Sequence, residues 1–186
     1  MSVRRLPYRN LGSLLQAEVP KRRNEDEKDR KLFEELSHSY RRGYLTKPEL
    51  VEICMWKSPR AIRRIKSNSE DMVRRATGEA FTTKFEKRKM EALMELRGVG
   101  IPMASSILTL TNPKDYGVID IRVWSLLYKL GAVNSNRKGA NFTFKQWYRY
   151  LSILRYFARK FGVKAREIEL TLFRYHQSQQ IGNLYT

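Results

Sequence analysis

Residues 93–105 read L-M-E-L-R-G-V-G-I-P-M-A-S, two apolar stretches joined by Gly98, Val99 and Gly100. Two glycines in three positions let a backbone turn tightly and let another molecule approach without a Cβ in the way. A helix that starts directly after such a turn presents unpaired N–H groups and the positive end of its dipole, which together suit a phosphate. The same pattern also serves as a plain helix–helix turn with no ligand. Ala104 and Ser105 are small, which fits close pairing of the two helices in either case.

Reading outward, helical signals fill the rest of the chain. Asn24, followed by Glu25, Asp26 and Glu27, reads as a cap with an acidic first turn, and Gly43 reads as the stop. Thr46 and Glu49 have the spacing of a capping box, with Pro48 in the first turn. Ser58 and Pro59 open a short helix to about Lys66, and Ser69 caps another to about Ala80. Thr83 and Glu86 are spaced as a second capping box, predicting a helix that runs to Leu96. Helices are predicted at 101–111 and 121–130. From Thr143, residues Phe144, Trp147, Leu151, Leu154, Ala158 and Phe161 recur at helical spacing up to Gly162, and 164–178 form the last helix. Residues 1–21, broken by Pro7 and Pro20, read as a basic, loosely ordered arm carrying Arg4, Arg5 and Arg9. No segment reads as a strand. The expected fold is all-α: an irregular array of short helices in two lobes around a helix-hairpin-helix at 91–110, making one domain over 22–186.

Composition narrows the partners. The chain holds 37 Lys and Arg against 19 Asp and Glu, a net charge of +18. A surface this basic favours a polyanion, nucleic acid first and an anionic membrane surface second. Cys54 is the single cysteine, which rules out an internal disulfide, a four-cysteine iron–sulfur cluster and a cysteine zinc site. No apolar run reaches membrane-spanning length, and no apolar signal core follows the N-terminal arginines. The expectation is therefore an intracellular protein of the cytoplasm or nucleoid, with no membrane.

Residues 117–131 read G-V-I-D-I-R-V-W-S-L-L-Y-K-L-G. Asp120 stands where an N-cap belongs, and aspartate is among the best caps. A capping carboxylate acquires a second task where a groove opens beside it.

Taken together and in this order, the two segments resemble the helix-hairpin-helix DNA glycosylase superfamily, which includes endonuclease III and the adenine and oxoguanine glycosylases. Leu96, Gly98, Val99, Gly100 and Ala104 match its hairpin; Ile119, Asp120 and Val123 match the segment that follows. The likeness is strong over 91–131 and general in the flanks. It implies that Asp120 is the catalytic aspartate and that Gly98, Val99, Gly100 and Met103 grip DNA. It also implies a base pocket at Ser106, Phe173 and His176, and a possible K⁺ or Na⁺ on the carbonyls of Met94, Leu96 and Val99. No cofactor is otherwise required, and no iron–sulfur cluster is expected. Two departures qualify it: Pro102 stands at the lysine of the strand-cleaving members, and Arg122 replaces a histidine. The resemblance thus implies a monomeric, monofunctional glycosylase that excises a damaged or mismatched base from duplex DNA without lyase activity. Should another amine take over, Lys114 in the loop before Asp120 is the first suspect. Trp56, Trp124, Tyr128, Trp147 and Phe173 are candidates for base stacking, with Trp124 and Trp147 better placed for core packing. A non-catalytic helix-hairpin-helix DNA-binding module and an RNA-binding protein are the competing readings.

Overall fold

The computed structural model describes residues 7–180; Arg4 and Arg5 lie outside them. Among the described residues the fold is all-α, with ten α-helices, one 3₁₀ turn and no strand. In chain order the helices are α1 (Leu11–Arg22), α2 (Glu27–Arg42), α3 (Lys47–Lys57), α4 (Ile62–Lys66), α5 (Glu70–Thr82), α6 (Glu86–Met94), α7 (Ile101–Thr111), α8 (Ile121–Lys129), α9 (Phe144–Phe161) and α10 (Ala165–Gln179). None is long and apolar enough to cross a membrane.

Two helices act as hubs. Every residue of α7 except Pro102 is buried, and α2, α3 and α6 pack around it. Its Ser and Thr hydroxyls are satisfied within the helix: Ser106 donates to the Pro102 carbonyl, Thr109 to Ser105 and Thr111 to Ile107. The second hub is α10, which gathers α1, α8 and α9. The helices thus pair in two groups, yet their buried side chains form one continuous core.

The N-terminal segment differs from expectation. Residues 11–22 are a helix, not a loose arm. Asn10 caps it, its side chain accepting from the Ser13 N–H at 3.0 Å. Leu11, Leu14, Leu15 and Val19 fall on one face and are buried, and the helix packs on α10. Burial of such side chains is worth roughly 1.5–3 kcal/mol each, which outweighs the cost of about 3 kcal/mol for one helical proline. Pro20 lies in the last turn, where only one intrahelical bond is forfeited.

Two helix starts also differ. Asp26, not Asn24, caps α2, because Glu25 is drawn off to pair with Arg166, whose Nε lies 2.6 Å from its carboxylate. The capping box expected at Thr83 and Glu86 does not form. Thr83 ends α5 and its hydroxyl accepts from the Phe85 N–H, while Phe85 occupies the cap of α6. The Glu86 carboxylate instead binds Arg155 at 2.7 Å and the Tyr116 hydroxyl at 3.1 Å, joining α6 to α9. In both places a tertiary ion pair has taken a side chain that the local pattern assigns to a cap. The capping boxes at Thr46 and Thr143 form as expected.

Candidate active site

The hairpin is α6, the turn Glu95–Gly100 and α7. The two glycines have separate tasks. Gly98 has φ +86°, and a Cβ there would lie 2.9 Å from Arg64 Cβ and 3.3 Å from the Ile65 nitrogen, so α4 fixes this position as glycine. Gly100 caps α7 in extended conformation, and a Cβ on it would meet nothing within 4 Å. The second glycine is the one that leaves open space at the helix start. Asn68, fully buried, staples the turn from behind. Its Nδ2 donates to the Arg97 carbonyl at 3.0 Å and its Oδ1 accepts from the Arg97 N–H at 2.9 Å. The Leu96 carbonyl, one of the three considered for a cation, accepts the Val99 N–H at 3.0 Å and retains a second lone pair.

Residues 117–120 are pinned from three helices. The Ile119 N–H donates to Ser105 Oγ on α7 at 3.1 Å, and the Tyr150 hydroxyl of α9 donates to the Val118 carbonyl at 2.8 Å. Gly117 leaves no room for a side chain, since a Cβ would lie 2.4 Å from Leu154 Cδ1 and 2.8 Å from Glu169 Cβ. The pinned segment delivers Asp120 to the start of α8, where Oδ1 accepts from the Val123 N–H at 3.0 Å. Asp120 is therefore the cap that its sequence position demands. It is also more than a cap: its side chain lines a cleft of about 790 Å³, within the roughly 300–1,000 Å³ typical of small-ligand pockets.

Five elements meet in that cleft. The hairpin contributes Gly98, Gly100, Pro102 and Met103; the end of α3 contributes Trp56 and Lys57; the loop before α9 contributes Phe142; and α10 contributes Glu169 and Phe173. Lys57 Nζ lies 3.9 Å from Asp120 Oδ2, and both side chains are largely sheltered, 19% and 16% exposed. Arg122 stands over the Phe173 ring at 5.3 Å, and Trp56 is anchored by its Nε1, which donates to Asp29 at 2.9 Å. Beneath them Arg166 is held between Glu25 and Glu169 and lies over the Phe33 and Trp56 rings. Burial pushes the Glu169 carboxyl up to about 7; Arg166 opposes the rise and the charge of Asp120 adds to it.

The other expected site residues divide. Gly98, Gly100, Met103, Asp120 and Phe173 share the cleft. Val99 is buried beneath the turn. Ser106 is fully buried and bonded to the Pro102 carbonyl, so it lies in the α7 core and not on the cleft wall. His176, on the same helix as Phe173, is 7% exposed and its Nδ1 is buried without a partner, so it too sits outside the cleft lining. Trp124 and Trp147 are core residues as expected, and Tyr128 packs against the core beside them. Lys114 is exposed and remote from the cleft lining. Sequence reasoning passed over Lys57, Phe142, Glu169 and Asn68. Only the W-K pair closing α3 offered a local hint, an aromatic beside a cation at a helix end.

Comparison with family models, with curated proteins and with solved structures finds no match.

Proposed function

We propose that this chain is a DNA N-glycosylase that takes a damaged or mismatched base out of duplex DNA into the cleft and hydrolyses its glycosidic bond beside Asp120. The observation that carries the reading is the double placement of Asp120. One carboxylate oxygen caps α8, and the residue also lines a cleft whose rim is the open Gly100 turn of the hairpin. The likeness of residues 91–131 to the helix-hairpin-helix glycosylases supports the same assignment.

The hairpin and the arginines around it are suited to the phosphate backbone. Arg60 and Arg64 are exposed and, with Ser58 and Gly98, line a smaller hollow of about 340 Å³ beside the turn. Phosphate contacts there and at the N-terminus of α7 offset the few kcal/mol needed to unstack a nucleotide. Trp56, Phe142 and Phe173 give the cleft aromatic surface for a flipped base. As the C1′–N bond breaks, its electron pair leaves with the base and the sugar becomes cation-like. The Asp120 carboxylate stabilises that charge and orients the water that completes the hydrolysis. A monovalent cation on the carbonyls of Met94, Leu96 and Val99 would stiffen the hairpin grip and take no part in bond breaking.

A screen of duplex oligonucleotides, each bearing one modified or mismatched base and read by alkaline cleavage, identifies the substrate. Single-turnover base release by Asp120→Asn on that substrate then tests the assignment. Asn keeps the cap and the shape but lacks the charge, so release is expected to slow by about 10²–10³, the scale of losing one electrostatic stabiliser, with DNA affinity retained. Equal rates in both forms would sink the catalytic role. Firm duplex binding with no base released from any lesion would favour the non-catalytic binding module, for which the cap bond to Val123 is sufficient explanation of Asp120.

A further inference from the structure

Base release leaves a sugar hemiacetal that opens to an aldehyde at C1′. Pro102 removes the amine that sequence comparison would look for in the hairpin, and on that ground alone strand cleavage is not expected. The structure places a different amine in the cleft. Lys57 closes α3 and is the lysine among the described residues that lines this cleft. Its Nζ stands 3.9 Å from Asp120 Oδ2. A carboxylate left paired with an ammonium gives little to a cation-like sugar, because the nearby positive charge cancels its field. The pair has a use if the two groups act in succession on the same carbon.

We infer that Lys57 is a nucleophile for aldehydic abasic sites and gives this protein a second activity, cleavage of the DNA strand on the 3′ side of such a site. The inference rests on the reading that sugar C1′ lies beside Asp120. The Lys57 ammonium first gives up a proton to a carboxylate or water. The neutral Nζ attacks C1′ of the open-chain sugar, forming a C–N bond, and the resulting carbinolamine loses water to give a protonated imine. That positive nitrogen acidifies C2′. Asp120, or water held by it, takes a C2′ proton; the electron pair forms the C1′–C2′ enamine and then expels the 3′ phosphate as the C3′–O bond breaks. Water hydrolyses the remaining imine, returning the amine and an unsaturated aldehyde. No oxidant or reductant is consumed. The two sheltered side chains are contributed by different elements, α3 and the start of α8, so closure of the cleft around DNA sets their separation.

The test uses the full chain and a duplex oligonucleotide with one preformed abasic site, which removes any dependence on the unknown lesion. Borohydride reduces an imine to a stable amine and so crosslinks protein to DNA. The wild type and Lys114→Gln are expected to crosslink and to nick the strand. In Lys57→Gln and Lys57→Arg both signals are expected to fall about 100-fold or more, the scale of losing a group that acts in the chemical step, while fluorescence anisotropy shows binding of the abasic duplex retained. Peptide mapping of the wild-type crosslink should find the nucleotide on Lys57. Crosslinking undiminished in Lys57→Gln, or mapped to another residue, overturns the assignment. A wild type that binds the abasic duplex without crosslinking also overturns it and leaves the glycosylase reading standing. One that neither binds nor crosslinks overturns both.

Discussion

His176 shows at the residue scale how burial redirects a side chain that sequence position would assign to the cleft. It lies on α10 near Phe173, but its ring is buried, and Nδ1 has no hydrogen-bond partner. Burial, with the positive charges of Lys129 and Arg122, pushes its pKa below the ordinary histidine value, against a smaller opposing effect of Asp120. In the unfolded chain the ring takes up a proton near pH 6.5; in the fold it does so only at lower pH. The unfolded state then binds more protons in that window, so the contribution is intact above about pH 6.5 and is lost as pH falls below it. The wild type is accordingly expected to lose more thermal stability between about pH 7.5 and 5 than His176→Gln, which cannot charge. Parallel melting curves across that range would show that the imidazole is not what responds. Asp120 was legible at this scale, because an N-cap is a matter of three residues and its hydrogen bond runs only to Val123. Lys57 was not, because its partner is distant in the chain.

At the scale of elements, the hairpin separates two glycines that look equivalent in sequence. Gly98 combines a left-handed φ with a Cβ direction that runs into the backbone of α4. Gly98→Ala is expected to cost roughly 1–3 kcal/mol by urea unfolding, from strain at positive φ and displacement of α4. Gly100 has an extended conformation and open space at its Cβ position, so Gly100→Ala should leave folding stability within about 0.5 kcal/mol and, on the glycosylase reading, weaken duplex binding. Equal destabilisation by both substitutions would contradict this division. The same scale explains which helix boundaries were readable. The caps at Thr46, Ser69 and Thr143 rest on bonds within one turn. The start of α6 does not, because Glu86 is committed to Arg155 and Tyr116 from other elements. The spacing of Leu11, Leu14, Leu15 and Val19 was visible, but the neighbouring prolines obscured it, and α10 supplies the surface that makes the helix pay.

Over the whole molecule, charge is the dominant property. A net +18 on 186 residues predicts strong duplex binding with little sequence preference and a steep salt response. With about five phosphates neutralised, the slope of log affinity against log salt should be about −4 to −5, measured by anisotropy on an undamaged duplex. A flat response would remove the electrostatic basis for DNA as partner. The sequence by itself determined the all-α class, the hairpin, the cap at Asp120 and the basic surface. Each depends on composition or on residues within a turn or two, where chain geometry already sets the distances. Only the tertiary structure decided that 11–22 docks as a helix, that Ser106 and His176 are buried, and that Lys57 meets Asp120. Those outcomes depend on α7 and α10 gathering distant helices around them, and no spacing along the chain encodes the distance between two side chains that only packing brings together.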